Sequence, residues 1–207
     1  MAISYGPSIV AETLSFSTAG SSQTLNIVYN GSTAATMTKN LSGNNGWDTQ
    51  AYYSVPYTAP CTIEFNKLAG SGGSDNGLSY TMVGWNNDPA TNADYGTIDH
   101  ASYPYITSNY HVYNNGSGIG TGLTWDMTKK FYIVYATDGY IRHYNGSTLL
   151  YSTNYGTGQT VYFDSSFFAG RCQYGQIISN ILLIFVFIIL LKRAKLRARK
   201  LMVYATV

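Results

Sequence analysis

The chain has 207 residues, with 21 Gly, 20 Tyr and only 11% charged residues. That length fits one ordinary domain with a sizeable core. So aromatic and weakly charged a composition excludes a freely solvated, disordered chain. The net charge of +2 hides an asymmetry: residues 1–191 hold six Lys/Arg against ten Asp/Glu, a balance of −4, and residues 192–207 hold six basic residues and no acidic one. The body carries no basic patch legible in sequence, so no sequence-specific nucleic-acid binding is expected.

Tyr and Thr suit pleated strands, and Gly with Asn supplies turns, so the composition predicts an all-β protein. The opening residues MAISYGPSIVAETLSF show no charged stretch followed by an apolar one, and no secretory signal is expected there. Residues 12–38 alternate with a period of two and turn at Asn30-Gly31, which predicts a hairpin. Residues 40–50 read as loop. Residues 51–65 read as extended, with Pro56 and Pro60 holding parts of the segment at a sheet edge. A loop over 69–77, a strand from Leu78 to Trp85 and a long Asn/Gly/Tyr-rich stretch of broken strands over 86–118 follow.

Residues 131–152 are the most regular. Strands at 131–135, 140–144 and 148–151 are joined by Asp138-Gly139 and Asn145-Gly146, which predicts an antiparallel meander. Residues 160–168 add another strand. The pentapeptide Tyr-Asn-Gly-Ser-Thr occurs at 29–33 and again at 144–148. Both copies read as the same hairpin turn used twice. Both also fit the acceptor pattern for N-glycosylation, as do Asn40 and Asn115; without a secretory signal no glycan is expected on any of them. Some ten to twelve short strands with tight turns predict an antiparallel two-sheet jelly-roll sandwich over residues 1–172.

The segment FYIVYATDGYIRHYNGSTLLYS with VYFDSSFF after it, preceded by MVGWNND at 82–88, resembles the concanavalin A-like lectin/glucanase superfamily. Its laminin-G-like and SPRY members carry a strand, a DG turn, a strand ending near NG and a final strand containing DSS. The resemblance covers about residues 78–168. It implies a two-sheet jelly roll and leaves function open.

Glucanases of this fold use paired glutamates. This chain has only Glu12 and Glu64, in unrelated segments, so it is not expected to be an enzyme. His100, His111 and His143 lie near no nucleophile elbow and read as surface or strand histidines. The glycines between Gly116 and Gly122 lack the Lys-Ser/Thr ending of a phosphate loop. The stretch from Asn86 to His100 is rich in side-chain oxygens and loosely resembles the metal loop of legume lectins. No cofactor is expected as the first reading; Asp88, Asn92 and Asp94 are the candidates should calcium bind. Sugar binding on a lectin-like fold uses an exposed aromatic with neighbouring amides, which makes Trp85, Asn86 and Asn87 the glycan candidates. Twenty tyrosines equally suit a protein–protein surface. Cys61 and Cys172 read as two core thiols, with a bridge as the alternative.

Residues 177–191, IISNILLIFVFIILL, span about 22 Å as a helix. A transmembrane helix is therefore expected over 173–191 with a basic tail over 192–207. Ile181, Leu182, Leu183, Ile184, Phe185, Val186, Phe187, Ile188, Ile189, Leu190 and Leu191 form its uninterrupted apolar run. Lys192, Arg193, Lys195, Arg197, Arg199 and Lys200 are placed to meet lipid headgroups. Insertion after synthesis would leave the β-domain in the cytosol and carry the basic tail across the membrane, against the positive-inside rule. The conflict is relieved if the far side is the interior of a particle. This layout resembles minor capsid proteins of large icosahedral DNA viruses with an internal membrane. The resemblance implies a structural protein of the virion, lying between capsid shell and inner membrane, with the membrane and other capsid proteins as partners. The alternative is a lectin or receptor anchored in the cell membrane and binding a glycan, with a Cys61–Cys172 bridge.

Overall fold

A computed structural model describes residues 16–20, 25–31, 34–39, 46–67, 80–90, 92–105, 109–126 and 128–179, in backbone only for 19–20 and 169–179. The strands are β1 (Ser17–Gly20), β2 (Leu25–Tyr29), β3 (Ala35–Lys39), β4 (Thr49–Tyr52), β5 (Cys61–Lys67), β6 (Tyr80–Asn86) and β7 (His100–Tyr105). They continue with β8 (Asn109–Asn114), β9 (Ser117–Leu123), β10 (Phe131–Tyr135), β11 (Tyr140–Asn145), β12 (Thr148–Asn154) and β13 (Tyr162–Ser179). A 3-10 turn at Tyr95–Thr97 is the only helical element among the described residues.

Two antiparallel sheets form. The first runs β1-β4-β13-β6-β7-β8-β9. The second runs β2-β3-β13-β5-β10-β11-β12. The 18-residue β13 belongs to both. Its register shifts between Phe167 and Ala169 and again between Tyr174 and Gln176. Bulges bend a strand and raise its local twist, which lets β13 leave the first sheet and enter the second. The expected two-sheet jelly roll is present.

Alternation places the core. Phe131, Ile133 and Tyr135 of β10 point inward, as do Ile141 and His143 of β11. They meet Val83, Trp85, Tyr110, Val112, Phe163 and Phe167 from the first sheet. At Gly84 a β-carbon would stand 2.0 Å from the His100 carbonyl oxygen, so only glycine allows β6 and β7 to approach this closely.

Several sequence expectations change. Pro60 precedes β5, which is a central strand between β10 and β13, so it marks a strand start and no sheet edge. The expected transmembrane helix does not begin at 173, because residues 173–179 are strand. Ile177 and Ile178 pair with Ile63 and Thr62 of β5. A short apolar run is equally compatible with a buried strand or helix, and the β-branched isoleucines here join a central strand. No helix among the described residues is long and apolar enough to cross a membrane. The anchor residues 181–191 and the basic residues 192–200 lie outside the described residues.

A Cys61–Cys172 bridge is excluded by register. Cys61 pairs with Ser179, whereas Cys172 pairs with Lys67 at the far end of β5. Six residues of strand separate them by about 20 Å, and a disulfide needs Cα atoms within about 7 Å. Cys61 is a buried thiol whose pKa burial pushes up to about 12.

The tripeptide Asn-Gly-Ser turns in two different ways. At 115–117 the flanking pair is Asn114 with Ser117, and φ is positive at Asn115 (44°) and Gly116 (74°), a type I′ turn. At 145–147 the flanking pair is Asn145 with Thr148, so the loop is Gly146-Ser147 with positive φ at Gly146 alone. Asn145 is therefore the last residue of β11 rather than part of the turn. In the first YNGST copy, β2 and β3 are joined across Asn30 to Ala34, whose backbone groups bond at 2.8 Å.

Candidate functional site

The first sheet has an outer face with chemistry of its own. Alternation sends Tyr80, Met82 and Gly84 of β6 outward, with Ala101, Tyr103 and Tyr105 of β7 and His111 and Tyr113 of β8. Tyr103 stands directly opposite His111 across the two strands. Trp47, Tyr95 and Phe168 extend the row. Ring centroids lie 5.1 Å apart for Trp47–Tyr95, 5.5 Å for Trp47–Tyr103 and 5.6 Å for Trp47–Phe168. Further steps of 5.6 Å join Tyr80 to Tyr105, 5.2 Å Tyr103 to Tyr105, and 5.7 Å Tyr95 to Tyr113. The result is an eight-ring aromatic platform. Tyr103 is its buried floor, and the other seven rings are half-buried. Burial and the neighbouring Tyr95 raise the Tyr113 pKa, and burial lowers that of His111. The Tyr113 phenol therefore stays a neutral hydrogen-bonding group at neutral pH. The His111 Nδ1 atom has no hydrogen-bond partner among the described residues.

Two clamps position the platform. Lys39 donates from Nζ to the Gly46 carbonyl (2.6 Å), the Phe167 carbonyl (3.1 Å) and the Asp48 carboxylate. That fixes residues 46–48 and with them the Trp47 ring. The second clamp holds the segment 87–99 against the sheet. Gln50 Nε2 donates to the Pro89 carbonyl and to Asp164 Oδ1, and Asn86 Nδ2 donates to Asp164 Oδ2 at 2.8 Å. Ser166 Oγ donates to the Ala93 carbonyl at 2.6 Å, and Asn87 N–H donates to Asp99 Oδ2 at 3.0 Å. Burial raises the Asp164 pKa to about 7, against the opposing pull of its three N–H donors.

Beyond that segment lies a shallow groove of about 520 Å³, lined by Tyr52, Ser54, Asn87, Asp88, Pro89, Ala90 and Tyr162. It lies on the same outer face, since Tyr52 and Tyr162 alternate with the inward-facing Ala51 and Phe163.

The sequence candidates separate accordingly. Trp85 is fully buried, points into the core and donates from Nε1 to the Ile133 carbonyl at 3.2 Å, so it offers no ring to a sugar. Asn86 is also enclosed and serves Asp164. Asn87 and Asp88 are exposed on the groove wall. Asn92 Oδ1 accepts from Asp94 N–H at 2.8 Å, and Asp94 Oδ1 accepts from Gly96 N–H at 2.7 Å, so both oxygens close local turns. Among the described residues no group of three His, Cys, Asp or Glu side chains is arranged to hold a metal.

Two of the three histidines are core groups. His143 Nδ1 lies 2.7 Å from Ser102 Oγ and 3.2 Å from the Tyr110 hydroxyl. A Ser–His contact invites comparison with a nucleophile pair, but Ser102, Tyr110 and His143 are all fully buried, and among the described residues no carboxylate bonds the other imidazole nitrogen, Nε2. Burial lowers the His143 pKa to about 3 and the His100 pKa to about 4. Glu64 is on the outer face of the second sheet, paired with Lys130 at 2.5 Å.

Sequence reasoning missed the platform. The signal was present as aromatics spaced two apart at 103 and 105 and at 111 and 113.

No family model matches the chain, and no curated protein matches it. Among solved structures it is similar to the SPRY domain of human HERC1, at 14% identity over 72% of this chain and 92% of that one, with a TM-score of 0.50. The carbohydrate-binding module CBM66 of Bacillus subtilis aligns at 11% identity over 81% and 95%, with a TM-score of 0.47. The exoplasmic/lumenal domain of VIP36 aligns at 11% over 79% and 85%, with a TM-score of 0.46. What the chain shares with the SPRY domain is its fold, the concanavalin A-like jelly roll.

Proposed function

We propose that this protein is a non-catalytic carbohydrate-binding domain that stacks sugar rings on the outer face of its first sheet. The observation that carries the reading is the platform: eight contiguous rings, seven of them half-buried and five of the eight belonging to tyrosines. Apolar ring faces receive the C–H face of a sugar, and tyrosine hydroxyls and a histidine meet its hydroxyls. Met82 and Ile98 lie beneath the rings, so the face presents aromatic rather than aliphatic side chains. The groove supplies an amide, a hydroxyl and a carboxylate on the same face. Catalysis is not part of the reading: Glu64 is on the opposite sheet, and Asp164 is enclosed with both oxygens bonded.

In this proposal the apolar run 181–191, flanked by Lys192 and Arg193, tethers the domain to a membrane. No feature among the described residues favours the capsid-shell role, and it is not carried further.

The full-length chain in detergent, printed against a glycan array, tests the reading. Trp47 is the one half-buried tryptophan of three, with Trp85 and Trp125 in the core. A bound sugar is therefore expected to shift tryptophan emission, and Trp47→Phe abolishes the shift. An array without binders, with a correctly folded chain, overturns the proposal.

A further inference from the structure

We propose that Asn115 is a site of spontaneous backbone modification, converting to aspartate and isoaspartate, while Asn145 in the identical Asn-Gly-Ser tripeptide is protected by the fold. The difference comes from where the two turns fall.

Asn115 and Gly116 are the two central residues of the β8–β9 turn, and Asn115 is exposed. The turn hydrogen bond joins the flanking residues Asn114 and Ser117, so it does not consume the Gly116 N–H. The Asn115 side-chain amide donates to Asn114 Oδ1 at 3.0 Å, an exposed contact that water replaces readily. Glycine next in sequence adds no side chain to shield the backbone nitrogen.

The chemistry needs only water and mild base. Gly116 nitrogen gives up its proton and attacks Asn115 Cγ. The new C–N bond closes a five-membered imide as the Cγ–Nδ2 bond breaks, and Nδ2 leaves as ammonia. Water then adds to one of the two imide carbonyls. Opening at one gives aspartate; opening at the other gives isoaspartate, whose backbone runs through Cβ. The balance is one water consumed and one ammonia released.

Asn145 is followed by the same Gly-Ser pair and has the opposite environment. It is 3% exposed. Its Oδ1 accepts from Asp126 N–H at 2.7 Å, and its Nδ2 donates to the carbonyls of Asp126 (3.1 Å) and Lys129 (3.2 Å). Gly146 N–H, which would be the nucleophile, donates to the Lys130 carbonyl at 2.8 Å. Both reacting groups are engaged.

Conversion at Asn115 acts on the candidate binding face. Asn115 N–H donates to the Ile98 carbonyl at 3.3 Å, and a β-carbon on Gly116 would stand 3.0 Å from Gly96 Cα. The hairpin tip thus braces the 3-10 turn that carries Tyr95. A carboxylate and an extra backbone atom at that tip load the edge of the platform. Only this last consequence rests on the proposed carbohydrate-binding role; the modification itself stands without it.

The test is ageing of the unglycosylated full-length chain in mildly alkaline buffer, followed by peptide mass mapping and enzymatic isoaspartate detection. In the native protein, conversion at Asn115 is expected to outpace that at Asn145 by on the order of tenfold or more, the protection of a stable core segment. In denaturant the two rates are expected to converge, because the glycine that supplies the attacking nitrogen and the serine after it are the same at both sites. Equal native rates, faster conversion at Asn145, or an Asn115 that converts only when unfolded would each overturn the proposal.

Discussion

The Lys39 ammonium and the Asp48 carboxylate form an ion pair in which the lysine side chain is wholly enclosed and the aspartate is 30% exposed. The pair joins β3 to the segment that carries Trp47. Removing one member of such a pair strands the other, whereas replacing the cation by an apolar chain removes the stranded charge. Asp48→Ala is therefore expected to cost about 2 kcal/mol or more, and Lys39→Met less. Both variants should move Trp47 emission towards that of an exposed indole. Urea titrations followed by fluorescence check the order; Lys39→Met proving the more damaging would contradict it.

Single-ring deletions on the platform test the binding face. Trp47→Ala and Tyr105→Ala remove half-buried rings, so the fold should survive. Ring stacking contributes about 0.5–1.5 kcal/mol beyond the buried area, which predicts roughly tenfold weaker glycan binding for each. Tyr52→Ala in the groove separates the two parts of the face. If it alone abolishes binding, the groove is the site and the platform is not.

Acid weakens the fold through its buried histidines. His100 and His143 titrate near 6.5 when unfolded and near 4 and 3 when folded. Between those values the unfolded chain holds more protons, so the His100 contribution is lost as pH falls from about 6.5 to 4 and that of His143 as it falls on to about 3. Asp164 runs the other way. Its folded value of about 7 exceeds 3.8, so the native state holds the extra proton in that window. Its contribution is full below about 4 and is lost as pH rises through 7. The stability of Asp164→Asn relative to the parent should therefore rise between pH 4 and 7 and level off above about 8. Unfolding titrations across this range measure it; a pH-independent difference would show that Asp164 is ionised throughout.

Production through a secretory pathway should separate the glycosylation motifs by burial. Asn30 and Asn115 are exposed, whereas Asn145 is enclosed with its amide bonded to backbone carbonyls. Glycopeptide mapping should find carbohydrate at the first two and a bare Asn145. Asn145→Ala should unfold more easily, by about 2 kcal/mol, as several buried backbone partners lose their bonds.

Truncation distinguishes strand from tether. A chain ending at Ser179 keeps every pair between β13 and β5, and should stay folded while losing membrane association. A chain ending at Gln176 also loses the pairs of Ile177, Ile178 and Ser179. At about 0.5–1.5 kcal/mol per hydrogen bond, it should be weaker by about 2 kcal/mol or more. Vesicle flotation and thermal melts read the two effects. A folded 1–179 chain that still floats would remove residues 180–207 as the tether.

The meander β10–β12 was legible because Asp-Gly and Asn-Gly punctuate strict alternation, although the second turn falls one residue later than the Asn-Gly pair itself. The C-terminal half of β13 was not legible. Ile177 and Ile178 continue directly into the apolar run, and a short apolar stretch has no period to separate strand from helix. Trp85 was misread because the stretch after it is polar. Its position was fixed instead by β6, which is buried on both faces: Val83 and Trp85 enter the core while Met82 lies under the segment 87–99. Asp164 lay inside the DSS motif that suggested the fold, but its partners Gln50 and Asn86 are 114 and 78 residues away, beyond any local pattern.

Because β13 is an inner strand of both sheets, the order of synthesis matters. Until residues 162–179 have been made, β4 and β6 lack their shared neighbour, and so do β3 and β5. A nascent chain that has reached only residue 161 therefore displays four open hydrogen-bonding edges, the kind that recruit other chains. The fold closes in one late step, and its vulnerable period is the interval on or just off the ribosome.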